Sequence, residues 1–296
     1  MTNHKISNIS VIGAGQMGHQ IAMLCALGGF ETINQDINGE TLNKAKEDLD
    51  KLMNQWVKKG KITEDEKSVA FSKLTFTQSL EEAAMNADFV IEAVVEKLEV
   101  KREIFRQLDK LASKHTIFAT NSSTIVNSMI AEVTSRPAQV CNMHFFFPPL
   151  VMDCVEVVMS DNTSDQTAQV ALAVCEQMNR TGVLLRKEIS GFVANRILGA
   201  SQKEAMNLYE DGIADFRDID FIVKKALGHR IGPFELMDLS GIDVVQFVME
   251  QRYAETGNSA DKPPIFITEK VKSGLLGRKT GEGFYQYSKE SIKNDK

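Results

Sequence analysis

The chain has 296 residues, of which 43% are hydrophobic and 25% charged, and its formal net charge is −6. This length exceeds the roughly 100–200 residues usual for one domain, so we expect two domains. The composition is typical of a globular protein and excludes a disordered or fibrous chain. The acidic balance disfavours nucleic acid and anionic membranes as partners, because both select basic surfaces.

The four cysteines lie in apolar stretches and lack the spacing of a metal site or a redox motif; they are Cys25, Cys141, Cys154 and Cys175. Such cysteines usually behave as small buried hydrophobes, so we expect them to be reduced and structural, and we expect no bound metal. Neither a targeting pattern in Met1–Ser7 nor an apolar run of about 18 residues is apparent. We therefore expect a cytoplasmic protein.

From Ile6 to about Arg186, short β-branched runs alternate with amphipathic stretches, as is typical of βαβ units around a parallel sheet. The predicted strands are Ile9–Ile12, Thr32–Asn34, Phe89–Val94, Ile117–Ala119, Val140–His144, Val155–Met159 and Val183–Leu185. The clearest helical periodicity covers Leu98–Leu111, and another helix is expected from about Thr41 to Lys59.

After Arg186 the strand signals stop, and a break at Ser190-Gly191 precedes a run of helical spacings. The predicted helices are Phe192–Tyr209, Ile219–Leu227, Phe234–Leu239, Val244–Ala254 and Ile265–Val271. The fold class is therefore α/β: a Rossmann-type doubly wound domain, residues 1–187, followed by an all-α domain, residues 188–296. The apolar surface of the helical domain favours a homodimer, and the tail Ser291–Lys296 is expected to be frayed.

A glycine-rich turn follows the first predicted strand and opens a helix; it consists of Gly13, Ala14, Gly15, Gln16, Met17 and Gly18. In the dinucleotide-binding fingerprint the first glycine permits the tight turn, the second admits the pyrophosphate and the third allows close packing of helix on sheet. The helix N-terminus would then hold the pyrophosphate.

Asp36 ends the second predicted strand, where its carboxylate can accept hydrogen bonds from the adenosine ribose. No lysine or arginine follows closely, and the carboxylate would repel a 2′-phosphate, so NAD is favoured over NADP. The alternative is a glycine turn of another α/β protein with a surface aspartate.

His144 and Glu156 lie on two predicted strands joined by a short connection, so their side chains can face each other. A carboxylate bonded to one imidazole nitrogen fixes the tautomer of the other. Oxidation of a secondary alcohol requires a base for the hydroxyl proton, and a histidine suits that task. The alternative is a satisfied core histidine.

Several motifs in this order resemble the L-3-hydroxyacyl-CoA dehydrogenase family, including bacterial 3-hydroxybutyryl-CoA dehydrogenases, essentially from end to end. They are Gly13–Gly18, Glu92–Lys97, Asn121–Ser123, His144–Phe146, Val155–Val157, Gly191–Arg196, Gly232–Glu235 and Gly277–Tyr285.

The resemblance implies a role for each matching residue. His144 would be the catalytic base, with Glu156 as its partner. Ser123 would bond the substrate's C3 oxygen, and Asn195 would place the thioester in a cleft between the domains. Three further residues would contact NAD or help to close the site around it: Glu92, Lys97 and Lys279. The alternatives are a solvated strand-end pair, a cation of the tail and, for Asn195, a residue that starts a helix.

Coenzyme A brings phosphates of its own and requires local cations. Lys58 and Lys59 end the predicted helix from Thr41, where the resemblance implies a helical hairpin with lysines. The macrodipole favours lysines at a helix end without any ligand, so both interpretations stand.

One position departs from the family pattern. After His144-Phe145-Phe146 the family almost always has Asn, and this chain has Phe147. We consider three consequences: Ser122 or Asn142 supplies the lost polar contact, the acyl pocket is reshaped, or catalysis is weakened.

The sequence thus predicts reversible NAD-dependent oxidation of (S)-3-hydroxyacyl-CoA, with short acyl chains, to 3-ketoacyl-CoA. The alternatives are a dehydrogenase of the same fold for a non-CoA 3-hydroxy acid and a non-catalytic NAD-binding sensor or structural protein.

Overall fold

The computed structural model describes residues 5–288, so the tail Ser291–Lys296 lies outside the described residues. Its contacts divide the chain into two compact units, Met1–Phe192 and Val193–Lys296. The boundary expected after residue 187 stays a prediction. Across residues 5–288, no helix combines the length and the apolar character that a membrane span requires.

The first unit alternates strands and helices along the chain, within its described residues. The strands are β1 Asn8–Ile12, β2 Glu31–Gln35, β3 Leu74–Thr77, β4 Phe89–Glu92, β5 Ile117–Thr120, β6 Val140–Phe145, β7 Cys154–Val158 and β8 Thr181–Leu185. The helices are α1 Gly18–Leu27, α2 Gly39–Lys58, α3 Glu64–Ser72, α4 Leu80–Met85, α5 Leu98–Leu111, α6 Asn127–Ala131 and α7 Asp165–Gln177.

The strands form one sheet in the order β3-β2-β1-β4-β5-β6-β7-β8. All neighbours are parallel except β6 and β7, which pair antiparallel. One apolar cluster includes Leu24 of α1 and Val174 of α7, and a second includes Phe105 of α5 and Ile130 of α6. Helices therefore cover both faces, which confirms the doubly wound prediction.

The strand order reverses at β1, whose neighbours are β2 on one side and β4 on the other. In open parallel sheets, ligands bind beyond the carboxyl ends of the strands at such a point. The glycine-rich turn follows β1 there, and Asp36 follows β2.

The structure adds one strand, β3, to the predicted ones and shifts the ends of several others by one or two residues. β3 was missed because its four residues give too short an alternation to distinguish from a loop. The predicted strand Phe89–Val94 ends at Glu92, because the N–H of Val94 bonds the Glu92 carboxylate at 2.7 Å rather than a neighbouring strand.

The second unit is helical, as predicted, apart from isolated bridges near its C-terminal end. Its helices are α8 Ala194–Glu210, α9 Phe216–Ala226, α10 Pro233–Ser240, α11 Ile242–Thr256 and α12 Ile265–Lys272. Buried Asp238 accepts the backbone N–H groups of Phe284 and Tyr285 at 2.9 and 2.8 Å, which holds the segment after α12 against α10.

Candidate cofactor and catalytic site

Two of the three glycines in the turn after β1 are required by close backbone contacts, and the third leaves open space. Gly13 has φ +100°, and a Cβ there would lie 2.7 Å from the carbonyl oxygen of Ala93. A Cβ on Gly18 would overlap the carbonyl oxygen of Gly13, whereas one on Gly15 would meet nothing within 4 Å. Space is therefore left at Gly15, where the fingerprint places the pyrophosphate, and the turn fits a dinucleotide.

Asp36 is joined to this turn. Its Oδ2 accepts the N–H of Ala14 at 2.9 Å, and its Oδ1 accepts the N–H of Asn38 at 2.9 Å. Both bonds orient the carboxylate beside the glycine-rich turn, so the structure brings the predicted ribose contact and the predicted pyrophosphate site together.

His19 supports the turn from inside α1. Its Nδ1 lies 2.6 Å from the carbonyl oxygen of Gly15, so the neutral ring donates from Nδ1. Burial lowers the pKa of His19, although the bond to Gly15 and the charge of Asp48 raise it. The side chain is therefore neutral near pH 7 and braces the turn.

His144 and Glu156 are directly opposite each other on β6 and β7. Nδ1 of His144 lies 2.7 Å from Oε2 of Glu156, and the two residues are 4% and 3% exposed. The expected contact is therefore present. Because Nδ1 is held by the carboxylate, Nε2 is the nitrogen left for a ligand, and it has no partner within residues 5–288.

Aromatic rings flank this imidazole. The ring of Phe146 lies 4.7 Å from that of His144, and the ring of Phe192 lies 5.5 Å from it, centroid to centroid. Phe192 is fully buried at φ +45°, a conformation that bulky residues rarely adopt. This explains why α8 begins at Ala194 rather than at Phe192 as predicted.

Phe147 is 53% exposed on the loop that joins β6 to β7. Neither proposed substitute for the missing polar group is available, because Ser122 and Asn142 are buried and engaged with protein atoms. Asn142 accepts from Asn127 at 2.9 Å, and the Ser122 hydroxyl donates to Glu96. The first of the three expected consequences is thus wrong, since both side chains already have partners.

Ser123 lies half-buried on the turn after β5. Its neighbour Asn121 accepts the backbone N–H of Phe145 through Oδ1 at 3.0 Å, which ties the turn to the residue after His144. The structure therefore places Ser123 on a turn anchored beside the histidine.

Glu92 requires a correction. The side chain is 0% exposed, and its carboxylate accepts from Lys101 at 2.8 Å, Thr120 at 2.7 Å and the N–H of Val94 at 2.7 Å. It has no surface with which to contact NAD. Glu92 instead positions the strand end that packs against Gly13, and family resemblance alone did not distinguish positioning from contact.

Lys101, which the sequence analysis missed, joins two carboxylates. It is 1% exposed and lies 2.8 Å from Glu92 and 3.2 Å from Glu96. Burial raises the pKa of Glu96, but the Lys101 charge and hydrogen bonds from Ser122 and Thr124 outweigh it, so the pKa lies below its usual range. The sequence did carry a signal for this residue, because the lysine falls on the apolar face of α5.

The remaining predicted residues lie at the surface or in the second unit. Lys97, Lys58 and Lys59 are exposed, and none has an ion-pair partner in the described part of the chain. Lys279 pairs with Asp243 at 2.5 Å within the second unit. Asn195 is half-buried in the first turn of α8.

The four cysteines are free thiols, as expected, and three of them are buried. Burial raises the pKa of Cys141 and of Cys175 to about 12. These thiols are therefore protonated and suited to packing.

Comparison with known proteins identifies the family. The 3-hydroxyacyl-CoA dehydrogenase NAD binding domain matches residues 8–189, and the 3-hydroxyacyl-CoA dehydrogenase C-terminal domain matches residues 191–287. The chain is 38% identical over 287 residues to the probable 3-hydroxybutyryl-CoA dehydrogenase of Bacillus subtilis, covering 97% of this chain and 99% of that protein.

Solved structures agree with this relationship. The (S)-3-hydroxybutyryl-CoA dehydrogenase of Ralstonia eutropha superposes with a TM-score of 0.91 at 35% identity, covering 96% of this chain and 100% of that one. A diketoreductase that acts on dicarbonyl compounds superposes at 0.85 and 31% identity, covering 96% and 100%. The predicted cofactor, NAD, is confirmed by the family's NAD binding domain. The chain belongs to the 3-hydroxyacyl-CoA dehydrogenase family.

Proposed function

We propose that this enzyme interconverts short-chain (S)-3-hydroxyacyl-CoA, such as 3-hydroxybutyryl-CoA, and 3-ketoacyl-CoA with NAD, in fatty acid or butanoate metabolism. The observation that carries the proposal is the buried His144–Glu156 pair, joined at 2.7 Å at the end of β6. The names of the relatives from Bacillus subtilis and Ralstonia eutropha support the thioester and the short chain.

His144 acts as the base in oxidation. Its Nε2 takes the proton of the C3 hydroxyl while the C3–H bond breaks and the C3–O bond becomes a carbonyl. Bound NAD supplies the hydride acceptor in this direction and the donor in reverse. Glu156 holds the Nδ1–H and stabilises the imidazolium that forms, because a charge-assisted hydrogen bond strengthens when its donor becomes charged.

Other residues orient the substrate and the cofactor. The Ser123 hydroxyl bonds the C3 oxygen, and the Asn195 amide donates to the oxygen of the thioester. In the cofactor site Gly13–Gly18 receive the pyrophosphate and Asp36 the ribose hydroxyls, with Lys97 and Lys279 as further contacts. Asp243 neutralises Lys279, so this last contact requires the pair to separate or to act together.

Lys58 and Lys59 bind the phosphates of coenzyme A. Both ammonium groups are exposed at the end of α2 and have no ion-pair partner in the part of the chain that the structure describes. A free cation pair suits a phosphate better than one already neutralised.

The second unit forms a homodimer. Its helices expose large apolar side chains, among them Phe221 and Ile222 on α9 and Phe247 and Val248 on α11. Exposed apolar residues in this number favour a self-association surface. A mass measured by light scattering during size-exclusion chromatography tests the assembly.

We also propose a cytoplasmic location, which fits four reduced thiols.

A non-CoA substrate is the second candidate. The similarity to a diketoreductase favours it, because that protein acts on dicarbonyl compounds. The test compares (S)-3-hydroxybutyryl-CoA with free 3-hydroxybutyrate, each with NAD and with NADP. We expect turnover with the thioester and NAD; turnover of the free acid at the same kcat/KM would overturn the CoA requirement.

A further inference from the structure

A buried asparagine on β2 lies directly against the cofactor turn. Asn34 is 0% exposed, and its Nδ2 donates to the carbonyl oxygens of Gly13 at 3.0 Å and Val11 at 3.1 Å. Both acceptors are carbonyls, so the amide nitrogen must face them. One of the two bonds reaches the residue at which the chain turns towards the pyrophosphate site.

The neighbours of Asn34 hold the same segment. The N–H of Gly13 donates to the carbonyl of Gln35 at 2.7 Å, and the N–H of Ala14 donates to Asp36 at 2.9 Å. The peptide group between Gly13 and Ala14 is therefore fixed at both ends, its carbonyl by Asn34 and its N–H by Asp36. A free rotation of this peptide would move the turn and the ribose-binding carboxylate apart.

An asparagine is a costly choice for this position. Central strands are normally filled by aliphatic side chains. The Oδ1 of Asn34 is buried and has no hydrogen-bond partner within residues 5–288, and an unsatisfied buried acceptor destabilises a fold. An aliphatic residue would avoid this cost, so stability alone does not account for the asparagine.

We propose that Asn34 is a positioning residue for NAD: it fixes the Gly13 carbonyl so that the turn is preorganised for the pyrophosphate. The inference rests on NAD as the cofactor and not on the identity of the acyl substrate. Loss of the Asn34 side chain should weaken NAD binding, because part of the binding free energy would then be spent on ordering the turn.

The test is Asn34→Leu, which keeps the shape of the side chain and removes both donated bonds. Thr32→Val is the matched control: Thr32 is also buried on β2, and its hydroxyl bonds the carbonyl of Phe30 at 3.0 Å, away from the turn. Asn34→Ala removes the same bonds without adding volume and replaces the leucine variant should that variant not fold.

The readout is the Kd for NADH, measured by fluorescence titration without thioester. We expect Asn34→Leu to raise this Kd about 3- to 10-fold, as for one lost hydrogen bond, and Thr32→Val to leave it unchanged. We also expect KM for NAD to rise while kcat and KM for the thioester stay within about twofold. A folded Asn34 variant with the wild-type Kd, or a rise matched by Thr32→Val, overturns the proposal. Because NADH binding needs no turnover, this result is independent of the proposed reaction.

Discussion

Glu156→Gln isolates the charge of the carboxylate from its shape. Both partners of the pair are almost fully buried and 2.7 Å apart, so water cannot replace the lost charge. A hydrogen bond to a charged group contributes about 1.5–3 kcal/mol and a neutral one about 0.5–1.5 kcal/mol. The difference, about 1–1.5 kcal/mol, arises when the imidazolium forms and corresponds to a fall in kcat of about 5- to 13-fold. A glutamine that turns its amide nitrogen towards Nδ1 imposes the wrong tautomer and deepens the loss.

The assay is the steady-state reduction of acetoacetyl-CoA at saturating NADH, with a separate NADH titration. The Kd for NADH should stay within about twofold, because the turn at Gly13 is not altered. Glu176→Gln, at an exposed position of α7, is the control and should change neither quantity. A folded Glu156→Gln enzyme with wild-type kcat would refute the assigned role, and so would a loss that appears only in NADH binding.

Two further variants test other parts of the structure. Phe147→Asn should leave the free energy of unfolding within about 1 kcal/mol, since the ring is 53% exposed. The same variant should raise kcat/KM for acetoacetyl-CoA about 2- to 10-fold by restoring one hydrogen-bonding group. An unchanged kcat/KM would show that Phe147 does not impair catalysis. Lys101→Met should lower the free energy of unfolding by about 3–5 kcal/mol, because it leaves the Glu92 carboxylate buried without its cation. Lys51, whose ion pair is exposed, provides the control: Lys51→Met should lower the free energy of unfolding, measured by urea denaturation, by at most about 1 kcal/mol. Equal losses of unfolding free energy in the two variants would contradict the argument from burial.

The sequence was most informative where a local pattern determines geometry. Gly13 and Gly18 have steric requirements that a residue with a Cβ does not meet, so the conformation of the turn followed from the motif. The contact of His144 with Glu156 followed from two neighbouring strands, because residues opposite each other in a pair share a face. The periodicity of α5 gave its bounds, Leu98–Leu111, because one face of that helix is apolar.

The sequence was least informative where tertiary contacts determine a role. Glu92 matched a family motif, but only the structure showed that Lys101 and Thr120 enclose its carboxylate. Asn34 appeared as an ordinary strand residue, because its bond to Gly13 links β2 to the turn after β1, which is distant along the chain. The Ser122 hydroxyl likewise bonds Glu96, which lies on a different loop.

The most direct test of the account measures NADH oxidation with acetoacetyl-CoA for the wild-type enzyme and for His144→Gln, together with the Kd of each for NADH. The account predicts that the variant loses about 10²- to 10⁴-fold in kcat, the contribution typical of a general acid or base, and binds NADH with a nearly unchanged Kd. A folded His144→Gln enzyme that turns over at the wild-type rate would contradict the assignment of His144 as the group that moves the proton.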